Sequence, residues 1–140
     1  MKRSLFVIFT VLVLSTVLLA ACGGGTTTSS EPEPPAEYAG KSNPFGNQAD
    51  AVAAGEALFA ERCASCHGPE GAGDGAAAAS LDPKPADLSV KLPEGDDFLF
   101  WRIMDGGAME PWNSSMPAHK GILTEDQVWQ LVSYIRSLPQ

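Results

Sequence analysis

The stretch Cys63-Ala64-Ser65-Cys66-His67 decides how the rest of the chain is interpreted. Residues three apart on a helix lie one turn apart on the same face, so both thiols of this stretch face one side. Each thiol can then add to one of the two vinyl groups of a haem, and the following His67 can reach the iron. The stretch therefore predicts one covalently bound haem c, with Cys63 and Cys66 as thioether donors and His67 as an axial ligand of the iron.

Three other uses of these residues fit less well. A structural zinc ion takes four ligands, usually from two such pairs, and the chain has three cysteines and two histidines. A thioredoxin-like redox pair lies in a βαβ pattern, and no such pattern surrounds Cys63. A structural disulfide between Cys63 and Cys66 leaves His67 without a role.

The first segment, residues 1–21, has the features of a signal peptide. Lys2 and Arg3 precede a long apolar run, and small residues follow it. The residues Leu19-Ala20-Ala21-Cys22 resemble a bacterial lipobox, in which cleavage leaves a cysteine that carries lipid. We therefore predict export and lipid anchoring through Cys22. Because the apolar run is close to the shortest length that spans a bilayer, an uncleaved membrane anchor is the alternative.

The charge of the exported part limits its partners. Cleavage removes Lys2 and Arg3 from the nine basic residues, which leaves seven against seventeen acidic ones and a formal charge of −10. Such a chain does not bind nucleic acid or an anionic membrane surface by charge. We predict redox protein partners, no nucleic acid, and a location on the extracytoplasmic face of a bacterial membrane, either periplasmic or at the cell surface.

Residues 22–48 are predicted to be a linker. Their first part is rich in glycine, threonine and serine, and the next is rich in proline. No apolar periodicity appears before Ala49, so residues 49–140 are predicted to form the folded domain. A flexible chain of 26 residues, 23–48, has an end-to-end distance of about 28 Å, which lets the domain move between membrane partners.

Two helices frame the predicted domain. Apolar residues recur at helical spacing from Val52 into the Cys63 motif. Gly55 lies inside this helix, where glycine costs about 1 kcal/mol relative to alanine, so we expect another helix to cross closely there. A capping box, Thr124 with Gln127, begins the last helix. The apolar face of that helix comprises Val128, Leu131, Val132 and Ile135.

This arrangement resembles class I cytochromes c over residues 49–140. The resemblance implies an all-α fold of about 3–5 helices around one covalently bound haem, with the first and last helices crossing. It also implies electron transfer in a respiratory or photosynthetic chain, by an electron carrier rather than an enzyme. In this family a carbonyl of a proline-containing segment accepts a hydrogen bond from the proximal histidine, and the neighbourhood of Pro83 or Pro85 is the candidate here.

Met116-Pro117 resembles the loop that supplies the second axial ligand in this family. His67 and Met116 would then be the axial pair, and a thioether in the sixth position leaves no room for a substrate. Met109 and His119 are the rival ligands. An open sixth position would favour a sensor or a catalytic subunit, and a third alternative is a cytochrome subunit of a larger oxidase or dehydrogenase complex.

Two segments between the first and last helices give further predictions. The glycine-rich residues 68–75 resemble the loop that follows the haem motif in the family, whereas a phosphate loop would need a Walker lysine and a preceding strand. Asp96 or Asp97 is expected to cap a helix over residues 98–105. Three side chains each keep two possible roles. Arg102 either pairs with a haem propionate or is solvated, and Trp101 and Trp112 either wall the haem or fill the core.

Overall fold

The computed structural model describes residues 31–90, 92 and 94–139. Within them the chain forms four α-helices and one short 3-10 helix, and no strand. These are α1 Ala49–Arg62, α2 Ala64–His67, the 3-10 helix Ala78–Ser80, α3 Asp96–Asp105 and α4 Glu125–Ser137. The predicted all-α fold is confirmed. The predicted signal peptide and the lipid attachment site Cys22 lie outside the described residues.

The first and last long helices, α1 and α4, cross as the sequence predicts. Gly55 of α1 is buried at the crossing, and a Cβ atom there would overlap the carbonyl oxygen of Gln130 and lie 2.9 Å from Tyr134 Cβ. Only a glycine lets the two backbones approach this closely. The ring of Phe59, one turn further along α1, packs on the Tyr134 ring with centroids 5.1 Å apart.

The last helix, α4, supplies most of the core. Its predicted capping box is present: Gln127 N–H donates to Thr124 Oγ1 at 3.2 Å, and Thr124 N–H donates to Gln127 Oε1 at 2.9 Å. The four residues of the predicted apolar face are all buried. Trp129, beside that face, stacks on Phe100 of α3 with ring centroids 4.2 Å apart. This stack joins α4 to α3.

The middle helix, α3, begins earlier than predicted. Gly95 precedes its first turn, and neither Asp96 nor Asp97 caps it from outside, because both are already helical. Two acidic residues in the first turn still favour the helix electrostatically. Asp96 also accepts a hydrogen bond from Arg136 Nε at 3.0 Å, which ties the start of α3 to the end of α4.

Residues 31–48, here called the N-terminal strap, differ from the linker predicted for residues 22–48. The strap belongs to the same compact unit as the helices. Its Tyr38 is 3% exposed and packs in the core, and its Asn43 side chain donates to Trp129 O at 3.2 Å and to Ser133 Oγ at 2.9 Å. An aromatic ring and an amide thus attach the segment to the domain, although its average composition is that of a linker.

Within residues 31–90, 92 and 94–139, no helix combines the length and apolar character that crossing a membrane requires.

Candidate haem-binding site

The two cysteines of the motif lie on one helical turn. Cys63 N–H donates to Phe59 O at 2.8 Å at the end of α1, and Cys66 N–H donates to Cys63 O at 3.1 Å. Both cysteines are free thiols and half-buried. Burial raises the pKa of the Cys63 thiol to about 11, with a smaller contribution from Cys66, so the group is protonated at neutral pH. The turn therefore presents two free thiols at the spacing that two vinyl groups require.

The ring of His67 is held by the backbone. Its Nδ1 lies 3.0 Å from the carbonyl oxygen of Ala86. A carbonyl only accepts hydrogen bonds, so Nδ1 carries the proton and Nε2 keeps its lone pair for a metal. Burial lowers the pKa of His67, which favours the neutral ring, and the bond to Ala86 acts in the opposite direction. The acceptor is the residue after Pro85, so the predicted neighbourhood contains it, although the carbonyl is not that of a proline.

The glycine-rich residues 68–75 cover the carbonyl end of α2. Gly73 N–H donates to His67 O at 2.8 Å, and Gly75 N–H donates to Cys66 O at 3.1 Å. A Cβ at Gly75 would lie 2.6 Å from Ala64 O, so only glycine fits this path. Because these amides are used by helix carbonyls, the loop does not offer them to a phosphate group. It fixes the turn that carries Cys66 and His67.

Met116 lies at the paired base of a loop that follows α3. This loop, residues 106–118, is called the distal loop below. Gly107 N–H donates to Met116 O at 2.9 Å, and a Cβ at Gly106 would lie 2.6 Å from both Met116 O and Ala118 N. Gly106 has φ +73°, which also favours glycine. The two glycines therefore let the loop close tightly against the end of α3 and fix the backbone of Met116.

The two rival ligands have different surroundings. Met109 lies at the outer turn of the distal loop, where its carbonyl accepts from Trp112 N–H and Asn113 N–H at 3.1 Å. His119 is 6% exposed, and its Nδ1 lies 3.2 Å from Ile103 O. Its backbone N–H donates to carbonyls of α3 as well. His119 is thus built into the contact with α3, whereas Met109 and Met116 are both half-buried.

These groups together fit a haem c better than a bare metal ion. In the described part of the chain, no group of three or more histidine, cysteine or acidic side chains is arranged to hold a metal. The motif instead offers two free thiols on one turn and one imidazole with a free Nε2. Several apolar side chains that pack against the core are only partly buried: Leu88, Leu92, Phe98, Met109 and Met116.

Comparison with known proteins gives the family. Residues 52–139 match the family model of cytochrome c. The chain belongs to the cytochrome c family. No curated protein matches it. Among solved structures, a chain from the reducing HAO-like protein complex of Kuenenia stuttgartiensis is 29% identical with a TM-score of 0.60, over 79% of this chain and 52% of that chain. The cytochrome therefore spans about half the length of that solved chain.

Family membership confirms the predicted class I cytochrome fold and the predicted cofactor. Members of the cytochrome c family bind haem c covalently and carry electrons, so residues 52–139 form an electron-carrier domain with covalently attached haem c. The single Cys63–His67 motif corresponds to one haem.

The aromatic residues of this cytochrome near the distal loop are engaged with protein groups. Trp101 is buried, donates from Nε1 to Asp105 Oδ2 at 3.1 Å, and packs on Trp112 with ring centroids 5.3 Å apart. Arg102 lies over the Trp112 ring, 3.6 Å from its centroid, and donates to Gly106 O at 2.7 Å. Arg102 is half-buried and supports the base of the distal loop through its bond to Gly106.

Two contributors to the site escaped sequence reasoning. The Gly106-Gly107 pair follows the end of α3, and Gly107 pairs with the backbone of Met116. The strap residue Glu31 was placed in a linker, although its Oε2 accepts from Trp112 Nε1 at 2.7 Å. The doubled glycine is a sequence feature that could have predicted the first contact. For the strap, the corresponding feature is the pair of aromatic residues Tyr38 and Phe45 in an otherwise polar, proline-rich segment.

Proposed function

We propose that this cytochrome is a mono-haem electron carrier in which Cys63 and Cys66 form the thioether bonds and His67 and Met116 are the axial ligands. The observation that carries the proposal is the hydrogen bond from His67 Nδ1 to Ala86 O, 3.0 Å, which leaves Nε2 free for a haem iron that Cys63 and Cys66 would hold nearby. When bound, the haem supplies one-electron chemistry of ferric and ferrous iron.

The protein groups set the conditions of that chemistry. The bond to Ala86 fixes the ring of His67 and strengthens its donor nitrogen. Bound to the iron, the Met116 thioether would be a soft ligand that raises the reduction potential relative to a second histidine and would leave no position for a substrate. These features favour outer-sphere electron transfer in a respiratory or photosynthetic chain.

The first test examines the covalent attachment. The full chain is matured in a host with haem-attachment machinery and is then extracted with acid and acetone. The colour is expected to stay on the polypeptide, and Cys63→Ala and Cys66→Ala should each retain at most one thioether bond. Colour in the solvent would contradict the assignment of the two cysteines.

The second test examines the sixth ligand. Ferric haem shows a weak far-red absorption band when a thioether sulfur is bound. We expect Met116→Ala to abolish the band and to open the iron to carbon monoxide in the ferrous protein, while Met109→Ala and His119→Ala keep the band. An unmodified protein without the band that binds carbon monoxide readily would instead support a sensor or catalytic haem.

The cellular part of the proposal is export and membrane attachment through lipid on Cys22, with residues 1–21 removed. The support is the sequence around Cys22 and the haem c itself, which bacteria attach outside the cytoplasm. One acyl chain anchors a protein only marginally, so a firm anchor needs two or more chains. Cys22→Ser should abolish labelling by radioactive fatty acid, and labelling that persists would contradict lipid attachment at this residue.

A second candidate role is that of a subunit in a larger redox complex. This role is favoured by the similarity to a chain of the reducing HAO-like protein complex of Kuenenia stuttgartiensis. That chain is about twice as long as the part of it that this cytochrome matches. Mild solubilisation of native membranes followed by size separation distinguishes the roles. Haem that elutes with other redox proteins supports a subunit, and haem that elutes at the size of this chain supports a shuttle.

A further inference from the structure

The N-terminal strap contacts the distal loop at its outer half. Glu31 Oε2 accepts a hydrogen bond from Trp112 Nε1 at 2.7 Å. Trp112 is held between this carboxylate and Arg102, whose guanidinium lies 3.6 Å from the ring centroid. Burial lowers the pKa of Arg102, and the Glu31 carboxylate opposes that change, so the two charges favour each other across the tryptophan. The start of the strap therefore restrains the residue four positions before Met116.

The strap contacts the base of the distal loop as well. The Tyr38 hydroxyl donates to Asp105 Oδ1 at 2.8 Å and accepts from Lys120 Nζ at 3.1 Å. Asp105 directly precedes the distal loop and Lys120 follows it closely, so one hydroxyl joins the two sides of the base. Lys120 also lies 3.9 Å from carboxylate oxygens of Asp105 and Glu37. Burial raises the pKa of Tyr38, which keeps the hydroxyl protonated and able to donate.

The remaining strap contacts are directed elsewhere. Asn43 bonds to α4 through Trp129 O and Ser133 Oγ, and Gly40 N–H donates to Asp97 Oδ2 at 2.8 Å at the start of α3. These contacts attach the strap to the helices without touching the distal loop. The strap thus offers two kinds of attachment that substitutions can separate.

We propose that Glu31 and Tyr38 are positioning residues for Met116, because they hold the distal loop in the arrangement that presents the thioether to the iron. The proposal rests on the proposed function, in which Met116 is the sixth ligand. The backbone bond between Gly107 and Met116 closes the loop, and Tyr38 and Glu31 add side-chain contacts beside its base and at its outer half. Weakening either contact should raise the fraction of molecules in which the sixth position is open.

The experiment uses the full-length haem-loaded protein and strap substitutions that leave the distal loop unchanged. Glu31→Ala removes the acceptor of Trp112, and Tyr38→Phe removes the hydroxyl at the base. A hydrogen bond to a charged group stabilises the closed loop, and its loss should increase the open fraction about tenfold. Carbon monoxide binds only the open form, so the apparent affinity of the ferrous protein should rise by the same factor. Because the closed form still predominates, the far-red band of the ferric protein should change little, so the carbon monoxide affinity is the deciding measurement.

Asn43→Ala is the matched control, since it removes three hydrogen bonds of the strap that lie away from the loop. We expect it to lower the melting temperature and to leave the carbon monoxide affinity and the far-red band unchanged. If Asn43→Ala raises the affinity as much as Tyr38→Phe, or if none of the three variants changes it, the positioning role is refuted.

Failure of the underlying assignment has a different signature. If the unmodified protein lacks the far-red band, or if Met116→Ala retains it, Met116 is not the sixth ligand and the positioning role falls with it. If the unmodified protein has the band and loses it in Met116→Ala, the strap variants alone decide whether Glu31 and Tyr38 position the loop.

Discussion

Substitution of Gly55 by alanine adds a single methyl group at the crossing of α1 and α4. The new Cβ would overlap the Gln130 carbonyl oxygen and lie 2.6 Å from Gln130 C and 2.9 Å from Tyr134 Cβ. Because optimal carbon contacts lie near 3.5–4.0 Å, the helices must separate locally by roughly 1 Å. The obstacle is backbone, so no side chain can rotate away to make room.

Two opposing effects determine the sign of the change in stability. Helix propensity favours alanine over glycine by about 1 kcal/mol. Overpacking a well-packed contact costs about 1–3 kcal/mol, and the rigid backbone obstacle places Gly55→Ala at the upper end. The net loss is about 2 kcal/mol, which corresponds to a fall in melting temperature of about 8–16 °C for a domain of this size. The larger Gly55→Leu should prevent stable haem-bound folding.

Thermal unfolding of the haem-loaded protein, followed by circular dichroism of the helices, measures this effect. Ala57→Gly is the matched control, because Ala57 lies on the exposed side of the same helix. It should lose only the propensity difference, about 1 kcal/mol. A melting temperature of Gly55→Ala equal to or above that of the unmodified protein would refute the close crossing, since propensity alone predicts such an increase.

Three further substitutions test separate parts of the fold. Thr124→Ala removes the side-chain half of the capping box with Gln127 and should cost about 1 kcal/mol in the free energy of unfolding, measured with urea; an unchanged midpoint would contradict a stabilising cap. Gly106→Ala places a Cβ against the distal-loop backbone at positive φ, so the far-red band should weaken; an intact band would show that the loop tolerates the side chain. Lys41→Ala removes an exposed ion pair with Glu125 and should change the free energy of unfolding by less than about 1 kcal/mol; a larger loss would show that this pair holds the strap.

The parts of the fold that sequence predicts well are those encoded locally. The apolar face of α4 and its capping box depend on residues within one or two turns of each other, and both are present as predicted. The crossing at Gly55 was also predictable, because a glycine inside a helix has a cost that a close helix contact offsets. The haem motif is likewise local, since its two thiols lie on one turn.

The strap could not be predicted in the same way. Its proline-rich composition is an average over many residues, whereas its attachment depends on single contacts to distant groups. Tyr38 meets Asp105 and Lys120, which are 67 and 82 residues away in the chain. The hydrogen-bond acceptor of His67 was predictable only in part. The sequence indicated the proline-containing segment but could not select the carbonyl of Ala86 within it. The start of α3 was misplaced since its capping position is a glycine without a side-chain signal.

The packing of the strap has a consequence for how far the domain can travel. If Cys22 carries lipid, the packing of the strap leaves at most the eight residues 23–30, rather than residues 23–48, to join it to the domain. A flexible segment of this shorter length has an end-to-end distance of about 16 Å, compared with about 28 Å for the longer one. The volume searched scales with the cube of that distance, so it shrinks about fivefold and the effective concentration of the haem domain near the membrane rises by the same factor. A short linker of this kind favours repeated encounters with one neighbouring partner over exchange among distant partners.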